Sequence, residues 1–263
     1  MPYGIVHLAA VPLRAEPSDR AEMTSQLLFG DLIQQLETKE KWARVRGAYD
    51  GYEGWINPRQ AMPIEIGEYE QHRAESRFVL NDAMAVAESN GLVQILPMGA
   101  SLPYFEPNDN GSGRFKLPGR AYILHGEAVD TARVQITEER IQTTAMRLLH
   151  APYLWGGKNA FGIDCSGFTQ IVFKVLGIPL KRDAYQQAEQ GRVVNMLDQA
   201  QCGDVAFFNN DAGKIVHVGI LLDNKTIVHA SGQVRIDRID HQGIFNVERK
   251  AYTHHLKIIK RLV

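Results

Sequence analysis

The apolar periodicity of this chain changes near Thr137, and this change restricts the fold more than any other sequence feature. Before it, short runs alternate between polar and apolar residues, which is the period of half-buried strands. After it, apolar residues recur at helical spacing, and the strand-like runs "GDVAFF", "IVHVGILL" and "TIVHASG" follow. Helices followed by strands are typical of an α+β domain. We therefore predict an α+β domain over 137–263 with β modules before it.

Two β modules are expected before that domain. Residues 1–61 hold short strand-like runs around Gly-rich turns, and Trp42 with "GYEGWI" resembles a bacterial SH3-type barrel. A polar, acidic linker is expected over 62–76. Strand-like runs return over 77–130, and we interpret them as a second, diverged SH3-like barrel.

Composition and charge exclude several classes of protein. Apolar residues make up 44% and charged residues 22% of the chain, as in ordinary globular proteins. A formal net charge of -1 and the lack of a long apolar run indicate neither a nucleic-acid partner nor a membrane partner. Two cysteines make no disulfide framework, and the N-terminal stretch does not resemble a secretory signal. We expect a cytoplasmic monomer, or a periplasmic or exported protein if a signal has been removed.

Cys165 is predicted to lie in the first turn of an amphipathic helix that follows the Gly-rich stretch "YLWGGKNAFGID". The free N–H groups at a helix start lower the pKa of a thiol and can hold an oxyanion. Asp164 would raise that pKa, so a nearby imidazolium is required, although Asp164 is also explained as the helix N-cap. The alternative for Cys165 is a small core residue.

Two of the nine histidines, His217 and His229, interrupt apolar strands. If 223–225 forms a three-residue hairpin loop, His229 lies opposite Gly219 and shares a face with His217. A two-residue turn would send the two rings to opposite faces. Only the first register allows His217 to act as a base and His229 to orient it.

The motifs "PYLWGG", "GIDCSGF", "GDVAFF", "HVGI" and "VHASG" resemble, in this order, those of the NlpC-type cysteine peptidases. These are papain-like enzymes that cut peptidoglycan stem peptides, and the resemblance covers about 137–263. It implies a papain-like fold without cofactor or metal, and peptidoglycan-derived peptides as partners. The implied catalytic residues are the nucleophile Cys165, the base His217, the third polar residue His229 and the oxyanion-hole residue Tyr153. Asp164, Trp155 and Ser166 are implied as substrate contacts.

SH3-type modules before such a domain further resemble the γ-D-glutamyl-L-diamino acid endopeptidases, the dipeptidyl-peptidase VI-like subgroup. The resemblance implies hydrolysis of muropeptides with a free N-terminal L-Ala, release of L-Ala-γ-D-Glu, and a role in murein peptide recycling. The residue that binds the substrate ammonium falls on Asp183, which the N-cap of a short helix explains equally well. Tyr52 is a further candidate for this end of the substrate, as is Glu22, which a solvated surface charge also explains.

Three other interpretations were weighed. A wall-binding protein with a relic peptidase domain is disfavoured because both nucleophile and base are present. A zinc site built from Cys165, His217 and His229 is disfavoured because zinc usually takes closely spaced ligand pairs. A general peptidoglycan endopeptidase, amidase or acyltransferase on the same papain-like fold stays open.

Overall fold

The computed structural model describes residues 2–108 and 112–262 of the 263-residue chain. The chain forms two compact units, Met1–Val134 with Trp155–Ala160, and Gln135–Leu154 with Phe161–Val263. Within the described ranges, no helix has both the length and the apolar character needed to span a membrane.

The N-terminal part of the first unit is a seven-stranded antiparallel sheet. Its strands are β1 (Tyr3–Val6), β2 (Ala10–Arg14), β3 (Met23–Leu28), β4 (Leu32–Lys39), β5 (Trp42–Gly47), β6 (Glu53–Ile56) and β7 (Ala61–Ile64), and a 3-10 turn spans Pro58–Gln60. They pair in the order β3-β2-β6-β5-β4-β1-β7. In β5 the side chains of Ala43 and Val45 are buried and those of Arg44 and Arg46 are exposed, which confirms the predicted period of two.

The rest of the first unit adds a helix and smaller sheets. These elements are α1 (Ile66–Glu75), β8 (Phe78–Leu80), β9 (Met84–Ser89), β10 (Leu92–Pro97), β11 (Glu106–Pro107), β12 (Gly113–Leu117), β13 (Arg120–His125), β14 (Ala128–Asp130) and β15 (Lys158–Asn159). Strands β9 to β13 form an antiparallel sheet in the order β10-β9-β13-β12-β11, and β8 pairs with β14.

The predicted linker over 62–76 is wrong, because α1 occupies most of it. The Glu68 side chain accepts a hydrogen bond from the backbone N–H of Glu65 at 3.1 Å, which caps the helix start. Tyr69 and His72 are buried along this helix. Two buried side chains and a cap therefore stabilise a helix in a stretch whose composition resembles a linker.

One hydrophobic core joins the two predicted β modules. The cluster contains Ile5, Phe29, Leu32 and Ile64 from the first module and Leu80, Leu96, Leu102, Phe115, Tyr122 and Leu124 from the second. A second cluster, which includes Val11, Leu27 and Val45, lies within the first module alone. The boundary drawn between the modules therefore does not separate two cores, and the SH3-like nature of the second module stays a prediction.

The second unit places its helices first and its strands afterwards, as predicted for an α+β domain. Its elements are α2 (Glu138–Met146), β16 (Gly162–Ile163), α3 (Cys165–Val175), α4 (Ala184–Gln187), β17 (Arg192–Val194), β18 (Val205–Asn209), β19 (Ile215–Leu221), β20 (Thr226–Ser231), β21 (Gln233–Ile239), β22 (Gly243–Asn246) and β23 (Ala251–Arg261), with a 3-10 turn at Leu197–Gln199. The sheet order is β17-β23-β18-β19-β20-β21-β22, and β22 also pairs with β23. This last pairing closes six strands into a barrel, and α3 packs against β19 and β20.

The register between β19 and β20 confirms the three-residue loop. Leu222 donates its backbone N–H to the Thr226 carbonyl at 3.0 Å, and His229 lies opposite Gly219. The Asp223 carboxylate accepts backbone hydrogen bonds from Lys225 at 2.6 Å and from Thr226 at 2.8 Å, which stabilises the turn. A Cβ atom at Gly219 would lie 2.8 Å from the Cβ of His229, so the glycine makes room for this histidine.

The helices of this unit differ in part from the prediction. Helix α2 ends at Met146, and the chain turns before Pro152 pairs with Gln233 at the start of β21. Helix α3 was expected to be amphipathic, but all of its residues are buried. It is therefore covered on every side, and Gly177 ends it at a φ of 78°, in the left-handed conformation expected there.

Candidate active site

Cys165 is the first residue of α3, and Asp164 is its N-cap, as the sequence predicted. The Asp164 carboxylate accepts the backbone N–H of Gly167 at 2.6 Å. The thiol is buried, with 5% of the residue exposed. Burial, followed by the negative charge of Asp164, raises the pKa of Cys165 to about 12, although backbone N–H groups of Val218 and Ser166 and the charge of Arg182 act in the opposite direction.

This pKa corrects the expectation that the helix start lowers the pKa of the Cys165 thiol. The helix N–H groups do favour the thiolate, but the cost of removing the charge from water outweighs them. At neutral pH the resting nucleophile is therefore a protonated thiol. A base has to take the proton as the sulfur attacks.

A buried ion pair holds the start of α3. Arg182 donates to both Asp164 oxygens, Nη1 to Oδ1 at 3.0 Å and Nη2 to Oδ2 at 2.6 Å. The same Nη1 donates to the Ser166 hydroxyl at 2.8 Å, and Gln187 donates to the Ser166 carbonyl at 3.0 Å. Arg182 is only 1% exposed. Both side chains predicted as substrate contacts, those of Asp164 and Ser166, are thus engaged inside the protein, which favours the capping role.

The two predicted histidines are in direct contact on one face of the sheet. His217 Nε2 lies 2.8 Å from His229 Nδ1, and both rings are buried. His229 Nε2 in turn lies 3.0 Å from Asp237 Oδ2 on β21. Arg235 donates to Asp237 through Nε to Oδ2 at 2.7 Å and through Nη2 to Oδ1 at 3.0 Å. The structure therefore extends the predicted pair into a four-residue chain.

A third histidine completes this cluster. The His254 ring stacks on the His217 ring, with centroids 4.0 Å apart and planes inclined by 28°. Burial, followed by the neighbouring His229, lowers the pKa of His254 to about 4. Burial, followed by His229 and His254, also lowers the pKa of His217 well below its usual value. At neutral pH His217 is therefore a neutral ring, with one nitrogen free to accept a proton.

Tyr153 is held by the hairpin that also carries His229. Its backbone N–H donates to the Gly232 carbonyl at 2.9 Å, at the turn between β20 and β21. Burial, followed by the negative charges of Cys165 and Asp164, raises the pKa of Tyr153 to about 12. The phenol is therefore a neutral hydrogen-bond donor whose electrostatics are coupled to Cys165. Its role as the oxyanion-hole residue stays a prediction.

Asp183 lies directly after Arg182 at the N-cap position of α4. Its backbone N–H donates to the Gln186 side chain at 3.3 Å, and the residue is half-buried. The helix-capping interpretation is therefore confirmed. Binding of a substrate ammonium at Asp183 stays a prediction.

The remaining predicted residues, Tyr52, Glu22 and Trp155, belong to the first unit. The Trp155 indole N–H donates to the exposed Glu22 carboxylate at 2.6 Å, so the sequence predicted two residues that do meet. Tyr52 is half-buried against the core of the N-terminal sheet, and its backbone N–H donates to Asp50 at 2.9 Å. Their contacts with substrate stay predictions.

Sequence reasoning missed Arg182, Asp237, Arg235 and His254. The parity argument used for His217 and His229 contained the signal for two of them. With a turn at Gly232, Arg235 falls opposite His229, and Asp237 falls on the same face at the diagonal position. His254 lies on β23, the longest strand among the described residues.

A cysteine at a helix start, packed against a barrel that carries a histidine pair, defines a papain-like thiol hydrolase. The NlpC/P60 family model matches residues 150–253, and the model of the bacterial dipeptidyl-peptidase SH3 domain matches residues 13–60. The chain belongs to the NlpC/P60 family and is a cysteine peptidase. The second predicted SH3-like module lies outside both matches.

Known relatives cover most of the chain. The γ-D-glutamyl-L-lysine dipeptidyl-peptidase of Bacillus subtilis is 32% identical over 222 residues, which span 78% of this chain and 71% of that protein. Dipeptidyl-peptidase 6 of Lysinibacillus sphaericus is 28% identical over 88% of this chain and 89% of its own length. These names support a peptidoglycan-related endopeptidase activity.

A solved structure has the same fold. The crystal structure of an NlpC/P60 family protein from Bacillus cereus superposes with a TM-score of 0.85 at 21% identity, over 99% of both chains. At this identity the similarity concerns the fold alone.

Proposed function

We propose that this peptidase hydrolyses the bond between γ-D-glutamate and an L-diamino acid in muropeptides with a free N-terminal L-Ala. The product would be L-Ala-γ-D-Glu, in a cytoplasmic pathway of murein peptide recycling. The observation that carries the proposal is the hydrogen-bonded pair of His217 and His229 on strands that pack against the Cys165 helix. The names of the relatives support the substrate class.

In the proposed reaction, His217 accepts the proton of the Cys165 thiol as the sulfur attacks the γ-carbonyl carbon of D-glutamate. The oxyanion is stabilised by the Tyr153 hydroxyl and by backbone N–H groups at the start of α3. His217 then donates its proton to the amine of the diamino acid, which leaves. Water, deprotonated by the same ring, hydrolyses the thioester and releases the dipeptide.

His217 carries an additional proton for only part of each catalytic cycle. The ring has a lowered pKa, so the imidazolium is a strong acid that returns its proton readily to the leaving amine. His229, bonded to its Nε2, holds the ring in one orientation throughout. Both features suit a base that also acts as an acid.

Asp183 is proposed to bind the ammonium group of the substrate's L-Ala. It follows Arg182, which is bonded to the Asp164 cap, so the backbone ties it closely to the nucleophile helix. A charge-assisted hydrogen bond of this kind contributes roughly 1.5–3 kcal/mol. Free muropeptides are then cut in preference to peptides acylated at L-Ala, such as those of intact peptidoglycan.

The test is mass spectrometry of the products from L-Ala-γ-D-Glu-L-Lys-D-Ala and from its N-acetylated form. We expect L-Ala-γ-D-Glu from the first peptide and little product from the second. In Asp183→Asn the preference should fall by about one to two decades in kcat/KM. Cleavage at another bond, or equal rates on both peptides in the wild-type enzyme, would contradict the proposal and favour a general endopeptidase or an amidase.

A further inference from the structure

Behind the histidine pair, a buried carboxylate faces the far nitrogen of His229. We infer that Asp237, held by Arg235, is a positioning residue that sets the proton positions on both histidines and so leaves the base nitrogen of His217 unprotonated. The inference rests on the proposed role of His217 as the base. It adds a residue that acts on the reaction through two successive rings.

The contacts form an unbroken line through the interior of the barrel. They run from His217 Nε2 to His229 Nδ1 at 2.8 Å, and from His229 Nε2 to Asp237 Oδ2 at 3.0 Å. The side chains of His229 and Asp237 are 1% and 4% exposed, so water does not compete for these bonds. Each ring nitrogen in the line has one defined partner.

The direction of each hydrogen bond follows from the carboxylate. An ionised Asp237 only accepts, so His229 Nε2 must carry the proton that it donates. A neutral imidazole has one N–H, and His229 Nδ1 is therefore an acceptor. His217 Nε2 must then carry a proton to donate to it. His217 Nδ1 then carries no proton, and it is the nitrogen of that ring that can act as the base.

Asp237 is held in the ionised state that this argument needs. Burial alone would raise the pKa of Asp237, but hydrogen bonds from His229 and Arg235 outweigh it, and the pKa is lowered. Arg235 already balances the charge of Asp237 through two hydrogen bonds. The charge of Asp237 is therefore paired with the arginine and does not require a second cation at His229.

The chain contains a matched control for this arrangement. Asp204 is a second buried aspartate with two hydrogen bonds from one arginine, Arg261 Nε to Oδ1 and Nη2 to Oδ2, each at 2.7 Å. Among the described residues, the Asp204 carboxylate accepts hydrogen bonds from Arg261 and from the backbone N–H of Gln201, and not from a histidine. Replacing Asp204 removes the same kind of ion pair without touching the line of histidines.

The direct test is the tautomer of each ring, read from ¹⁵N chemical shifts of ¹⁵N-histidine-labelled protein in the inactive Cys165→Ala background. We expect both His217 and His229 to carry their proton on Nε2. In Asp237→Leu, which has no acceptor, both rings should switch to Nδ1–H, because a buried unpaired N–H costs more than an unpaired acceptor. Asp237→Asn retains an amide oxygen and should give a mixture. Asp204→Leu should leave both tautomers unchanged.

The kinetic test uses the same variants with Cys165 intact. For Asp237→Leu, kcat should fall about 10²- to 10⁴-fold, the upper value being that of a wrong tautomer beside a catalytic histidine. KM should change little, because the Asp237 side chain is buried and its hydrogen bonds go to His229 and Arg235. Asp237→Asn should recover part of the loss, and Asp204→Leu should keep kcat close to that of the wild type.

Two results would overturn the inference: rings that keep Nε2–H in Asp237→Leu, or the same switch and the same loss of kcat in Asp204→Leu. Failure of the proposed function is a separate result. If the muropeptide is not cut but the tautomers switch as expected, the substrate assignment fails and the role of Asp237 stands.

Discussion

The nucleophile side and the base side of the candidate site each contain a buried aspartate that accepts two hydrogen bonds from one arginine. The consequences of this ion pair differ between the two sides. On the nucleophile side, the buried Asp164 receives two hydrogen bonds from Arg182 beneath Cys165. On the base side, the buried Asp237 receives two hydrogen bonds from Arg235. Both carboxylates are thus neutralised by an arginine inside the protein.

The difference lies in a further partner that each carboxylate has beside its arginine. Asp164 accepts the backbone N–H of Gly167, a group whose protonation never changes. Asp237 faces His229, whose proton can sit on either nitrogen. The first pair therefore fixes a position, and the second fixes where protons lie. Two similar ion pairs therefore differ in the kind of group that their carboxylate meets.

The largest expected effect comes from removing either reacting group. Cys165→Ala and His217→Ala should each lower kcat by at least about 10⁴-fold, and the double variant should be no worse, because the two groups act as a unit. The measurement is kcat on L-Ala-γ-D-Glu-L-Lys. Because the thiol is buried, Cys165→Ala should also cost about 1 kcal/mol of unfolding free energy. Strong residual activity in either variant would mean that the site is misassigned.

Removing the ion pair between Arg182 and Asp164 should lower both the stability of the protein and the reactivity of the Cys165 thiol. Arg182→Met leaves the Asp164 carboxylate buried without its arginine, which should cost about 3–5 kcal/mol in urea unfolding. The pKa of Cys165 should rise further, because Arg182 opposes its increase, so alkylation by iodoacetamide at pH 9 should slow about tenfold per pKa unit.

The control is Asp164→Asn with Arg182→Met, which removes both charges and keeps an N-cap side chain. Most of the stability and the alkylation rate should return. An alkylation rate that stays at the level of Arg182→Met would show that the charge of Asp164 is not the cause.

Weakening the contact between His229 and His217 should have a smaller effect on kcat. In His229→Asn, the amide oxygen still accepts the Nε2–H of His217, so the orientation of the base is partly kept. We expect kcat to fall about 10- to 100-fold. This is less than the loss of about 10⁴-fold that removal of a general base can cause. His229→Ala has no acceptor and should lose more. Equal losses in both variants would remove the orienting role from His229.

The smallest expected effect concerns acid stability. His254 has a pKa of about 4 in the folded protein, below the value of about 6.5 for the unfolded chain. Between these pH values the unfolded state binds more protons than the folded state. The contribution of neutral His254 to the free energy of unfolding is therefore complete above pH 6.5 and is lost as the pH falls toward 4. His254→Phe keeps the stacking on His217 and should flatten this part of the stability curve.

The change in slope should be smaller than about 1.4 kcal/mol per pH unit, the value for one whole proton, because His254 is partly exposed. Urea unfolding at several pH values between 4 and 7 measures it. An unchanged slope would show that His254 is not a source of acid lability.

The sequence predicted the parts of the site that depend on short-range regularity. Helical spacing placed Cys165 at a helix start, and hairpin parity placed His217 and His229 on one face. The same parity, continued past Gly232, would have placed Asp237 beside them. The predicted linker over 62–76 was wrong because its buried side chains, Tyr69 and His72, contact the rings of Tyr3 and Tyr104, which lie far away in the chain.

Local sequence therefore determined which groups can react: a thiol at a helix start and two histidines in register. Periodicity and turn length settle such placements within about ten residues. The tertiary structure alone decided their chemical state. The raised pKa of Cys165, the lowered pKa of His217, the pairing of Arg182 with Asp164 and the stacking of His254 all require segments far apart in the chain. Burial is a property of the whole packed domain, and burial is the largest cause of each of these pKa shifts.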